Sequence, residues 1–145
     1  MNKPHRLFDF FDQRLKEDPQ GVMLAGKEGG QYREYSSTEV KAIVDQLSAG
    51  LLALGYSANN MTLEGRDKIA IISKNRPEWM FLDLAVQQIG VVLVPLYPTI
   101  HINDLEFVLN DAQVKGVFVN DEDLFHKVQH VRSHVPSIKE IYSFE

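Results

Sequence analysis

The stretch KIAIISKNRPEWMFLDLAVQQIGVVLVPLYPT, Lys68 to Thr99, decides the fold. Its opening, KIAIIS, is short, apolar and isoleucine-rich, which is strand composition. RPEWMFLDLAVQQIG follows. It offers Pro77 for a first helical turn, Glu78 near the positive end of the helix dipole and Gly90 as a stop. VVLV is a second short branched run, and it ends on Pro95. Proline has no N–H to give to a ladder, so strand pairing is expected to stop there. Pro98 then keeps Tyr97 extended before the next helix. Strand, helix and strand at this spacing make a βαβ unit with parallel strands.

The alternation continues toward the C-terminus. INDLEFVLNDA reads as a helix with Asn103 and Glu106 as a capping box. GVFVN is a strand, DEDLFHKVQHVRSH a helix ending before Pro136, and KEIYSF a last strand. The strands lack clear polar alternation, which predicts burial on both faces. Toward the N-terminus, Leu7, Phe8, Phe10, Phe11 and Leu15 trace a short amphipathic helix that stops before Pro19. GVMLAG and QYREY flank KEGG as a hairpin. SSTE places Ser36 as N-cap and Glu39 three residues on. Val40, Ile43, Val44, Leu47, Leu51 and Leu54 then fall in a stripe roughly 100° wide, and Gly55 sits at the stop.

The expected fold is therefore α/β, a layered and mostly parallel sheet with flanking helices, an N-terminal helix and a β-hairpin. Residues 1–62 hold helix, hairpin and capped helix, and residues 63–145 hold the alternating strands and helices. One element strains a self-sufficient domain. Trp79, Phe81, Leu82, Leu84, Ala85, Val86 and Ile89 surround most of their helix. Such a helix is buried on most sides, either as a central core helix or against a partner outside the chain.

Composition excludes several classes. The 145 residues carry a net charge of −5, against a dedicated nucleic-acid binder, and contain no cysteine for disulfides or thiolate metal sites. The N-terminus has no apolar leader region, and the apolar run Trp79–Leu96 is broken by Asp83, Gln87, Gln88, Gly90 and Pro95. A cytoplasmic protein is expected.

Site chemistry is sparse. There is no G-x-x-x-x-G-K-[ST], no G-x-G-x-x-G and no G-x-S-x-G. His126, His130 and His134 recur every four residues, a spacing that can chelate a metal. They point away from the stripe of Leu124, Val128, Val131 and Val135, so a solvated face is the simpler reading. Asn120 to Asp123 reads as helix-start carboxylates rather than a divalent-cation site. Trp79 beside Glu78 reads as core rather than a ligand platform.

NRPEWMFLDLAVQQIGVVLVPLYPT nevertheless resembles the adenylate-forming (AMP-binding) superfamily, most closely its long-chain fatty acid–CoA ligases. The resemblance rests on Asn75, Pro77, Glu78, Trp79, Gly90, Val94, Pro95 and Pro98. EYSSTEV, RDKIAII, DLEFVLNDAQVKGVFV and HVPSIKEIYSF are similar to further family segments in the same order. Ser37, Arg66, Gln113 and Val114 depart from the family's usual residues.

The resemblance implies a parent enzyme that uses ATP, Mg²⁺ and coenzyme A to convert a fatty acid into its acyl-CoA through acyl-AMP. The family's Pro-Lys-Gly phosphate loop, adenine-binding aromatic motif, ribose-binding aspartate and catalytic lysine are absent here. No catalytic residue and no metal ligand can be assigned. The chain reads as the N-terminal part of the large AMP-binding domain, inactive alone and partnered by the rest of the enzyme. Self-association through the Trp79–Ile89 region is a corollary, and the parent could be peripheral to a membrane. The resemblance also brings Lys127 forward, with His126 and Arg132 nearby, for the nucleotide end of coenzyme A. The alternatives are a stand-alone α/β binding or interaction module and another acid-adenylating ligase.

Overall fold

The computed structural model describes residues 6–145. The leader-region reading of Met1–His5 lies outside the described residues. The chain forms α1 (Leu7–Glu17), β1 (Val22–Glu28), β2 (Gln31–Ser36), α2 (Ser37–Ala53), β3 (Lys68–Ile72), α3 (Pro77–Gln88), β4 (Val92–Leu96), α4 (Ile102–Asp111), β5 (Gly116–Val119), α5 (Glu122–Val131) and β6 (Glu140–Ser143). A 3₁₀ turn, Arg132–His134, closes α5. β1 and β2 pair as an antiparallel hairpin. Its turn is Gly29–Gly30, both at positive φ, where a side chain would be strained. β3 to β6 form one parallel sheet in the order β4-β3-β5-β6.

The strand order dictates the layers. From β3 the chain steps to β4 on one side, then returns across β3 to β5 and on to β6. Right-handed crossovers in opposite directions must use opposite faces. Accordingly Ile69, Ile71 and Phe118 pack with α1, α2 and α3. Ala70, Ile72, Val117 and Val119 point the other way and pack with α4 and α5. The alternation along β3 is the two-residue period of a strand with both faces covered.

Four expectations need correction. β3 and β5 are buried as predicted, but β4 and β6 are the sheet's edges and are half-exposed. Pairing also does not stop at Pro95, which sits in register with Ile71 and is followed by Leu96 against Ile72. An edge strand tolerates proline when the missing N–H lies on the open side. α4 is capped by His101, whose Nδ1 accepts from the Asn103 N–H at 3.3 Å, and not by Asn103 with Glu106. Leu54 lies outside the buried stripe of α2, 58% exposed, because it is the C-cap residue beyond the last turn.

The all-round apolar helix α3 is a central core helix. Phe81, Leu82, Leu84, Ala85 and Val86 are buried, in one cluster with residues of α1, β2, α2 and β3. Along it Gln88 is the exposed residue, and the remaining positions are half-buried or buried. Much of its cover comes from this same chain, with Trp79 and Ile89 left half-buried. The capping box of α2 forms as expected: Glu39 N–H donates to Ser36 Oγ at 3.2 Å, and Ser36 N–H donates to Glu39 Oε2 at 2.8 Å. At the opposite end of the sheet, Asp67 accepts from Ser57 N–H at 2.8 Å and from Lys115 Nζ at 2.7 Å. Lys115 also donates to the Gly55 carbonyl, which ties the connection after α2 to β5.

Candidate functional site

In an open parallel sheet, the carboxyl ends of two neighbouring strands whose connections leave on opposite faces form a crevice. Here those strands are β3 and β5: the chain after Ile72 enters α3 on one face, and the chain after Val119 enters α5 on the other. A crevice of about 650 Å³ lies at this point, walled by the β1–β2 hairpin. The hairpin approaches closely because residue 26 is glycine. A Cβ there would stand 2.5 Å from Pro77 Cγ.

Beneath the crevice, buried polar side chains pair with one another. Ser73 and Asn120 are 7% and 6% exposed. Ser73 Oγ donates to Asn120 Oδ1 at 3.1 Å, and Asn120 Nδ2 donates to Asp121 Oδ2 at 3.1 Å. Arg76 precedes α3 and is its N-cap residue, with Pro77 in the first turn. Its guanidinium donates to both Glu78 oxygens, at 2.9 and 3.2 Å, to the Asn120 carbonyl at 3.3 Å and to Glu145 Oε1 at 2.9 Å. The same group lies 5.2 Å from the Phe144 ring centroid. The hydrogen bond to Glu78 raises the Arg76 pKa and lowers that of Glu78. Asp121 caps α5 by accepting from Leu124 N–H at 3.0 Å, and that bond is the main cause of its lowered pKa.

This arrangement holds loops together; it does not carry out chemistry. Three cations, Lys27, Lys74 and Arg76, face four carboxylates, Glu28, Glu78, Asp121 and Glu145. No net positive field is left for an anion. Each carboxylate already has a partner, Glu28 through the Tyr35 hydroxyl at 2.8 Å. Nothing in the crevice pairs a nucleophile with a base. Among the described residues no group of three or more His, Asp or Glu is placed to hold a metal ion.

The residues singled out in the sequence do not converge. His126 and His130 are exposed, and His126 Nε2 is 3.5 Å from Glu122 in the preceding turn. His134 Nδ1 is 3.1 Å from Glu106 of α4, a pairing across helices rather than a metal set. Lys127 is half-buried and donates to the Ile100 carbonyl in the turn before α4. Arg132 reaches the Lys139 carbonyl before β6. Lys127 and Arg132 thus serve different junctions. Trp79 packs partly buried against the core. Glu78 is the partner of Arg76.

Sequence reading passed over Arg76 and Ser73. The signal in the sequence was positional: Ser73 follows directly on an apolar strand and Arg76 stands just before Pro77 of the next helix.

Relatives place the chain. A sequence profile described as AMP-binding enzyme matches residues 11–145. A long-chain-fatty-acid–CoA ligase of Mycobacterium bovis is 26% identical over 126 residues, covering 87% of this chain and 20% of that protein. Long-chain-fatty-acid–CoA ligase 5 of Mus musculus is 30% identical over 112 residues, covering 77% of this chain and 16% of that one. The solved anthranilate CoA ligase AuaEII, in complex with anthranoyl-AMP, superposes with a TM-score of 0.84 at 15% identity, over 99% of this chain and 26% of that one. The chain therefore spans about a fifth of the length of the curated relatives it matches.

Proposed function

The chain belongs to the AMP-binding enzyme family, and from that premise we propose that it is the N-terminal structural portion of an ATP-dependent fatty acid–CoA ligase. One observation carries the reading: similarity runs through nearly the whole chain but through only a fifth of the M. bovis ligase. The proposed parent reaction joins a fatty acid carboxylate to AMP with release of pyrophosphate, after which the thiol of coenzyme A displaces AMP. Both steps build charge on phosphate or carbonyl oxygens and call for fixed donors around them. The described residues supply no such constellation. Among the described residues no cluster of His, Asp or Glu offers Mg²⁺ a ligand set. Residues 1–145 act in this reading as scaffold, the first part of the large AMP-binding domain.

Lys127 remains the proposed contact for the nucleotide end of coenzyme A. One of its three ammonium donors is spent on the Ile100 carbonyl, and the others stay available. Charge reversal at Lys127 in a longer ligase, with KM for coenzyme A unmoved, removes that contact.

The test of the main reading is pyrophosphate release by this chain with ATP, Mg²⁺ and palmitate. No release above background is expected. Clear turnover would sink the scaffold assignment. A second reading, an independent α/β interaction module, is favoured by one specific observation: α3 is covered by its own chain. A monomer in light scattering, joined to a gene that ends without a downstream Pro-Lys-Gly loop, would favour the module. No helix among the described residues is long and apolar enough to cross a membrane.

A further inference from the structure

We propose that Arg76 is a positioning residue that fixes the course of the segment leaving β6. Its functional meaning rests on the ligase reading above, in which whatever follows β6 must be delivered in a set direction. Arg76 bridges three separate parts of the chain: the start of α3 through Glu78, the end of β5 through the Asn120 carbonyl, and the segment after β6 through Phe144 and Glu145. The two bonds to Glu78 hold the planar fork, so Nη1 is aimed rather than free to rotate. Its target is also fixed, because the Asn120 backbone extends the β3–β5 ladder, its N–H donating to the Ile72 carbonyl at 2.9 Å.

The segment after β6 is held from two directions. Phe144 N–H donates to the Val119 carbonyl at 3.0 Å, which carries the β5–β6 ladder one residue further. The Phe144 ring lies 5.9 Å from the Phe118 ring and under the guanidinium. Among the described residues β6 is an edge strand, with no strand paired on its open side. Arg76 supplies the missing lateral restraint. Lysine could not replace it, because one ammonium cannot hold the Glu78 fork and reach both other segments in fixed geometry.

Native-state amide exchange followed by NMR tests this, on the wild-type chain and on R76Q, R76K and E145Q. The Phe144 amide reports the segment. The Val114 amide, which donates to the Leu109 carbonyl on the far side of the fold, reports general stability. In R76Q and R76K, exchange at Phe144 is expected to quicken about tenfold, as for loss of a charge-assisted hydrogen bond. Val114 should stay within about twofold. E145Q should quicken Phe144 only about two- to threefold, since that pair is largely solvated. Unchanged Phe144 exchange in both Arg76 variants overturns the proposal. Equal quickening at Val114 also overturns it, in favour of a general stabilising role. Should R76Q not fold, R76K and E145Q carry the same comparison. Pyrophosphate release tests the ligase reading, so the two can fail separately.

Discussion

Gly116→Ala should destabilise the protein through a single contact. Gly116 opens β5 and pairs with Ile69 and Glu140. A Cβ there would stand 2.1 Å from the Tyr56 hydroxyl and 2.9 Å from its Cζ. Ordinary contact needs about 3.5 Å, so something must move by more than an ångström. The phenol cannot swing away, because Tyr56 is only 3% exposed and packed in the core. Overpacking of this kind costs about 1–3 kcal/mol. Replacing a strand glycine returns about 0.5–1 kcal/mol of chain entropy. The clash wins, with a net loss of about 1–2 kcal/mol.

The hydroxyl also makes the clash reversible. Burial pushes the Tyr56 phenol well above the ordinary tyrosine range, with the Tyr142 phenol beside it adding to the effect, yet neither oxygen reaches a partner in hydrogen-bond geometry. Tyr56→Phe thus removes an unsatisfied group and should be neutral or slightly stabilising. Urea unfolding followed by Trp79 fluorescence can close the double-mutant cycle. The double variant should recover at least about half of the loss, because the nearest remaining atom is Cζ. A neutral G116A, or strict additivity with Y56F, refutes the reasoning.

Two further outcomes follow from local geometry. Gln113 sits just past α4 at φ 52°, exposed, in the left-handed region. Gln113→Gly should relieve about 1–2 kcal/mol of strain against about 0.5–1 kcal/mol of added chain entropy, a net gain of a few tenths to about 1 kcal/mol in the same urea assay. Glu39, Asp45, Glu78 and Asp121 all have lowered folded pKa values, so their stabilisation is present above the unfolded carboxylate range near about pH 4 and is lost as pH falls through the folded values. Asp121→Asn keeps a capping side chain but removes the charge and one titration, so stability should fall slightly at pH 7 and should decline less steeply below about pH 4. An unchanged acid slope contradicts that assignment.

The elements were legible because local signals agreed with one another: Ser36 with Glu39, Pro77 with Gly90, Gly29 with Gly30. The exposure of the strands was not. Val92–Leu96 and Gly116–Val119 are both short branched runs, yet one is an edge and the other central. Strand order is set by crossover direction, which composition does not record. His101 as a cap was missed because histidine caps helices rarely, whereas the Asn103 and Glu106 spacing looked right and went unused. The crevice escaped for the same reason as the edges. Arg76, Ser73, Asn120 and Glu145 meet only when β3, β5 and β6 lie side by side. Lys127 was reached through resemblance alone, and its half-buried bond to Ile100 had no sequence signal.

The covering of α3 bears on how a chain about a fifth as long as its relatives can hold a layered core. Both faces of the sheet are closed by helices of this chain, one by α1 to α3 and the other by α4 and α5. What stays open is the pair of edges. An open face would expose a row of isoleucine and valine side chains, whose burial is worth about 1.5–3 kcal/mol each. An open edge exposes mainly backbone groups that water can satisfy. The unfinished polar edges cost far less than an unfinished apolar face. The two edges also differ. β4 carries Pro95, which interrupts its outward donors, and β6 has no proline. Sheet extension is therefore easier at β6, the side on which Arg76 contacts Phe144 and Glu145.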